Sequence, residues 1–274
     1  MPDVPGRRTG REARFASCIR PRHNTLSRRI RITVAYDGTD YHGWQLQPGL
    51  PTIQGTIEEI VAGIESRPVR VEGSGRTDAG VHALAQVAAF TIDNPIPVDN
   101  LRRAMNRLLP ASVRILCVEE VHEGFHPRFD AVAKTYRYTI FRDEVCPPLE
   151  WRYVYHHPYP LDEAAIMEAA RVYEGEHDFT ALAATDNRDG ETGSKIRTIF
   201  GSVVERQQNK LIYTVRGNGF LKHMVRNIVG TMLEAGRGNI DARTFPVRSG
   251  RTAPAKGLTM VSVEYEEPGA DDSL

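Results

Sequence analysis

Cysteine is scarce in this sequence: Cys18, Cys117 and Cys146 stand at spacings that match neither a disulfide framework nor a zinc knuckle. A reducing compartment, the cytoplasm, is the expected setting. Long hydrophobic runs are absent too, none approaching the roughly 18 to 20 residues that a bilayer span requires. The protein is therefore expected to be soluble, with no membrane partner. Net charge is the third absence, since 35 Lys and Arg balance 35 Asp and Glu. That argues against a uniformly basic nucleic-acid binder, because phosphate backbones are normally met by excess Lys and Arg. The balance is uneven along the chain, however. Nine arginines within residues 1–31 face only Asp3 and Glu12, a local charge of +7 that leaves −7 for the remainder. Any polyanion-binding surface on the body must be a local cluster.

With 274 residues and a hydrophobic fraction of 41%, the chain can fill one large core or two smaller ones. Two lobes sharing a sheet are expected. Residues 1–28 are rich in Arg, Gly and Pro with little apolar periodicity, and read as an unstructured basic extension. It is either an arm that gathers polyanions or an extension without a dedicated role. An N-terminal half over 29–142, a C-terminal half over 143–266 and an acidic tail over 267–274 complete the division.

Alternation predicts strands at 29–36, 69–72, 85–92, 113–118, 134–141, 196–205, 210–216 and 258–265. Helical spacing predicts helices after Thr52, at 97–109, at 162–173 and at 219–235. The fold class expected is α/β (α+β), a largely antiparallel mixed sheet with flanking helices. Residues 185–195 lack a core face and read as a loop that is mobile or ordered by substrate.

Chemistry is densest at residues 73–83, Gly-Ser-Gly-Arg-Thr-Asp-Ala-Gly-Val-His-Ala. Asp78 sits there in a glycine-flanked turn, with Arg76 before it and His82 after it. A carboxylate so placed can be a nucleophile, a general base or a metal ligand, and a neighbouring arginine favours its charged form. It can equally be an ordinary Asx-turn. A metal shared by Asp78 and His82 would need further ligands, and none stands at suitable spacing. A second group, Lys222 and Arg226, is four residues apart on a predicted helix, suited to a phosphate or carboxylate or else a solvated basic face. A third joins Tyr136 and Lys134 to Phe125-His126-Pro127-Arg128-Phe129. Aromatics interleaved with cations suit RNA, although tyrosines alternating in a strand also serve sheet packing.

Taken in chain order, the motifs resemble the tRNA pseudouridine synthase A family. They are Tyr36-Asp37-Gly38, Gly43-Trp44-Gln45, Gly75-Arg76-Thr77-Asp78-Ala79-Gly80-Val81-His82, Phe125-His126-Pro127-Arg128-Phe129, Tyr136-Arg137-Tyr138, His177-Asp178-Phe179, Arg197-Thr198-Ile199, His223-Met224-Val225-Arg226-Asn227 and 252–258. The resemblance implies a pseudouridine synthase fold of two related halves, a homodimer and a tRNA partner recognised at the anticodon arm. It implies that Asp78 is the catalytic aspartate, that Tyr136 stacks near the target base, that Arg76 is a loop arginine facing the RNA, and that Arg226 pairs with the aspartate. The implied reaction, uridine to pseudouridine, exchanges an N1–C1′ bond for a C5–C1′ bond. It has no redox change and imports no group, so neither cofactor nor metal is expected. One departure stands at Ala181-Leu182, where relatives commonly carry an aromatic. A non-catalytic RNA-binding protein and a metal-dependent hydrolase using Asp78 and His82 remain as rival classes.

Overall fold

The structure, a computed structural model, describes residues 27–184, 194–244 and 250–266. Residues 1–26 of the expected basic extension, the acidic tail and most of the 185–195 loop lie outside these residues, whereas Arg28, assigned to the extension, opens the first strand. In chain order the elements are β1 (Arg28–Tyr36), α1 (Ile53–Glu65), β2 (Glu72–Gly73), β3 (His82–Ile92), α2 (Val98–Leu108), β4 (Val113–Val121) and β5 (Ala131–Phe141). There follow β6 (Tyr155–His156), α3 (Glu163–Arg171), β7 (Gly175–Asp178), β8 (Ile196–Gln207), β9 (Lys210–Gly217), α4 (Met224–Gly236) and β10 (Leu258–Tyr265).

All ten described strands join one sheet, whose spine runs β4-β1-β3-β10-β5-β9-β8-β7. It is largely antiparallel, as expected. The parallel pairs are β10 with β3 and β6 with β5. β10, from near the C-terminal end of the described chain, is thereby inserted between β3 and β5. The β10–β3 contact is short, Thr259 opposite His82 and Met260 opposite Ala83, whereas β10 pairs with β5 along most of its length.

Alternation explains the layers. Ile30, Ile32, Val34 and Tyr36 of β1 are buried, while the residues between them are less covered. Thr52 caps α1 by accepting the Gly55 amide at 3.2 Å, so Ile53, Ile57 and Val61 fall on one buried stripe. Asp162 caps α3 in the same way, through the Ala165 amide. α4 is the most enclosed helix, buried over nearly all its length. Its Gly230 makes room for a crossing segment, since a Cβ there would stand 2.1 Å from the Arg251 carbonyl oxygen.

Several expected elements differ in extent: β4 runs on to Val121 and β5 starts at Ala131, each three residues longer than expected, and three other differences have a visible cause. Val71 is buried, but its amide goes to Glu58 Oε1 and its carbonyl receives Gln54 Nε2, so α1 side chains take backbone groups that a strand over 69–72 would have paired. β3 begins at His82 rather than 85, because pairing with β10 captures its first turn. α4 begins at Met224 rather than 219, because His223 adopts φ +60 and the Lys222 carbonyl accepts the Ala184 amide. Lys222 therefore precedes the helix and does not share a helical face with Arg226.

Candidate active site

The turn that carries Asp78 is closed by the Val81 amide on the Asp78 carbonyl at 3.1 Å, with Gly80 at φ +77 in the position that requires it. Two further constraints hold the turn from outside. Trp44 donates its amide to the Thr77 carbonyl at 3.1 Å, and Tyr36 Oη shares a 2.8 Å hydrogen bond with Thr77 Oγ1. Close approach of the Trp44 segment depends on Gly43, at φ +87, where a Cβ would lie 2.5 Å from the Thr77 carbonyl oxygen.

The arm leading into the turn rests on a buried polar network. Gln86, fully buried on β3, donates Nε2 to the Gly75 carbonyl at 2.9 Å, and its Oε1 accepts Ser74 Oγ at 2.5 Å. Lys134 Nζ donates to the Ser74 carbonyl at 2.6 Å from a side chain only 8% exposed. Burial first, and then the positive charges of Arg128 and Arg197, bring the Lys134 ammonium down to about 8.

Asp78 does not spend its carboxylate on an Asx-turn. Oδ2 accepts Arg226 Nη1 at 2.8 Å, and His223 Nε2 stands 3.5 Å away. Arg226 is aimed by its own second bond, Nε to the Ala253 carbonyl at 2.7 Å, while the Ala253 amide returns to the Arg226 carbonyl. The segment that crosses Gly230 thus orients the counter-ion. Both partners of the ion pair are largely covered, with side chains 15% and 22% exposed. Hydrogen bonding and charge together make such a pair stronger than a solvent-exposed one.

Tyr136 lies beneath this group. Its hydroxyl is within 3.9 Å of where a Gly75 Cβ would be, and its ring meets the edge of Phe220 at 5.0 Å and 76°. Burial, then the charges of Tyr36 and Asp78, push its phenol far above the ordinary range. The structure brings Asp78, Tyr136 and Arg226 together. Arg76 is placed differently: it is exposed at the mouth, with Nε on Gln45 Oε1 at 3.0 Å, so the cation paired with Asp78 is Arg226 and not its sequence neighbour.

His82 is turned to other work. The Gly38 amide donates to Nδ1 at 3.1 Å, and Nε2 lies 3.1 Å from the Arg152 carbonyl, an arrangement that fits the neutral Nε2–H tautomer. Burial lowers its basicity despite Asp37 beside it. Both ring nitrogens of His82 are thus engaged by backbone groups, and among the described residues no group of three His, Cys, Asp or Glu is placed to hold a metal ion. A cavity of about 550 Å³ is lined by Asp37, His82 and Tyr153 together with Arg137 and Thr139. Those last two alternate with Tyr136 and Tyr138 and face the other side of the sheet, so this cavity is separate from the Asp78 chemistry.

Sequence reasoning did not single out His223 or Phe220. Position was the available signal for His223, which lies three residues before Arg226. Phe220 has no such signal, because only the fold sets it against Tyr136. At the departure noted above, Leu182 is fully buried, and its carbonyl accepts Asn227 Nδ2 of α4 at 2.6 Å.

Among the described residues no helix is long and apolar enough to cross a membrane. Residues 32–130 and 169–266 match the family model described as tRNA pseudouridine synthase. A tRNA pseudouridine synthase A of Solibacter usitatus is 71% identical over 87% of this chain and 100% of its own length. One of Brevibacillus brevis is 44% identical over the same shares. A solved archaeal box H/ACA sRNP Nop10-Cbf5 complex aligns with 83% of this chain and 46% of its own at 10% identity and TM-score 0.34, too distant to bear on the site. Family model and relatives agree, and the chain belongs to the tRNA pseudouridine synthase family.

Proposed function

We propose that this protein converts uridine to pseudouridine at positions 38–40 in the anticodon stem-loop of tRNA, with Asp78 as the catalytic carboxylate. The observation that carries the reading is the Asp78–Arg226 pair, held in a tight turn above Tyr136.

The chemistry breaks N1–C1′, rotates the uracil and forms C5–C1′. The C5 proton leaves and N1 gains one, so product and substrate are isomers, and the stoichiometry calls for no cofactor. Two first steps begin at a charged carboxylate, attack on C1′ or removal of the C2′ proton. Arg226 pairs with Asp78 at 2.8 Å, and its bond to Ala253 keeps it from swinging away. A uridine in a stem-loop must leave its stack to reach that turn. Tyr136, braced by Phe220, supplies an aromatic wall for it, and exposed Arg76 meets the RNA at the entrance.

The working unit is a cytoplasmic homodimer, in which modest basic patches of two chains act on one tRNA. Light scattering at micromolar concentration tests this, and a monomer overturns it. The function itself is tested by treating unmodified tRNA transcripts with purified protein and mapping pseudouridine. Conversion at positions 38–40 is expected. Absence of pseudouridine overturns the activity, and conversion only elsewhere overturns the site preference.

A further inference from the structure

The sequence motif Phe125-His126-Pro127-Arg128-Phe129 has no part in the chemistry just described, yet the fold sets it beside the active site. Tyr265 Oη donates to the Pro127 carbonyl at 2.8 Å, and its strand, β10, pairs with β5, whose Lys134 holds the Ser74 carbonyl. Arg29 makes a second bridge, its Nε on the Phe125 carbonyl at 3.1 Å and its Nη2 on Glu72, two residues before Ser74. The loop is thus pinned to the arm that carries Gly75, Arg76 and Asp78.

This loop is rigidly built, and it projects an apolar ring into solvent. His126 and Asp130 close it: the His126 amide donates to Asp130 Oδ2 at 2.9 Å, and the Asp130 amide returns to the His126 carbonyl at 3.1 Å. The Arg128 amide then caps His126 Nδ1 at 3.1 Å. Phe125 is buried beneath, but Phe129 is 75% exposed, its ring 4.3 Å from that of His126. Most of the Phe129 ring is thus left open to a stacking partner.

Cations flank it. Arg128 is exposed next to Phe129, with its guanidinium 5.8 Å from the ring centre. Across the sheet, Lys134 of β5 pairs with Gly217 of β9, and Gly217 with Ile199 of β8. Two residues before Ile199, Arg197 packs against Gly219, adjacent to the Phe220 that braces Tyr136. Arg128, Lys134 and Arg197 are close enough to feel one another's charge. Arrays of like charge around an exposed ring are complementary to a polyanion that carries flat, stackable groups.

We propose that Arg128, Phe129 and Arg197 form a second nucleotide subsite outside the uridine pocket, in which one nucleobase of the bound RNA stacks on Phe129 and an adjoining phosphate lies between the two arginines. The assignment rests on the tRNA reading of the active site. The subsite takes a base by its face and does not read its edges, so it grips the strand next to the target uridine without choosing sequence.

The experiment uses the full chain and an unmodified tRNA transcript. Phe129→Ala is expected to weaken tRNA binding about tenfold or more, and Phe129→Trp to restore it. Arg128→Gln and Arg197→Gln should each reduce the slope of log affinity against log salt by about one, whereas Phe129→Ala leaves that slope unchanged. Unaltered thermal melting shows that the variants fold, and ultraviolet cross-linking of the complex should join Phe129 to a nucleotide other than the target. Wild-type affinity in Phe129→Ala overturns the subsite. So does a fall in oligomeric mass with tRNA affinity retained, which would assign the ring to a contact between chains. A wild-type protein that binds tRNA through Phe129 but forms no pseudouridine would sink the catalytic reading and leave the subsite standing.

Discussion

Arg226 Nη1 and Asp78 Oδ2 meet at 2.8 Å although 148 residues separate them in the chain. Among the described residues neither has another ion-pair partner as close: His223 Nε2 stands 3.5 Å from Asp78, and Arg76 is engaged with Gln45. The pair joins the turn before β3 to the first turn of α4. Removal of either member leaves the other partly buried without its counter-charge.

Asp78→Asn keeps the size of the side chain and a hydrogen-bond acceptor for Arg226 but removes the charge. Single-turnover assays should show pseudouridine formation reduced by at least about 10³-fold, with tRNA affinity within a few-fold of wild type. Activity close to wild type would take the catalytic role away from Asp78.

Arg226→Lys retains charge but lacks the planar fork whose separate nitrogens hold Asp78 and the Ala253 carbonyl. It should keep more activity than Arg226→Gln, and Arg226→Gln should lose about 1–3 kcal/mol in urea unfolding. Equal losses of activity in the two variants would show that the charge is irrelevant.

Gly43→Ala tests the fit of the Trp44 segment against the turn. The new methyl would press on the Thr77 carbonyl oxygen, and φ +87 strains any side chain, so about 1–3 kcal/mol of stability should go together with activity. Thermal melting and turnover should fall in step. A variant as stable and active as wild type would mean that the turn has room to spare.

Lys134 gives a pH signature. Its folded value, about 8, lies below the 10.5 of an exposed lysine, so between those pH values the unfolded chain holds more protons than the folded one. Stability contributed by this group therefore rises as pH rises from about 8 to 10.5, while the neutral amine still donates to Ser74. Compared with Lys134→Met in urea unfolding, the wild type should gain over that window and run parallel below it. Parallel curves throughout would show that burial of the ammonium is not felt.

Tyr136 and Phe220 form the wall under Asp78. A double-mutant cycle of Tyr136→Leu and Phe220→Leu, read by urea unfolding, should return a coupling of about 0.5–1.5 kcal/mol. A coupling of zero would mean that the two rings stand independently.

Local signals made much of this fold legible. β10 occupies the predicted 258–265, because its apolar and β-branched residues and the preceding Pro254-Ala255-Lys256-Gly257 mark both its character and its start. Thr52 was readable as a cap because a hydroxyl before an apolar helical stripe has a specific task. Val71 was misread for a non-local reason: its backbone bonds are claimed by Gln54 and Glu58, and no propensity of its own sequence reports that. Strand order was equally hidden, since β10 entering between β3 and β5 follows from long-range packing. At the site, ordered motifs pointed to Asp78, Tyr136 and Arg226. The burial of Lys134 beneath Ser74 and the left-handed turn at His223 became visible only in three dimensions.

The placement of β10 also sets an order of events during synthesis. The Asp78 turn leaves the ribosome early, but Arg226 and then the strand that neighbours β3 emerge only after most of the chain has been made. Until then β3 and β5 present unpaired edges, and the carboxylate has no counter-ion. A nascent chain is therefore open to edge-to-edge association, and a product truncated before Leu258 keeps those two edges even though it contains Arg226. Closure of the sheet therefore waits on β10, the strand made last among those described.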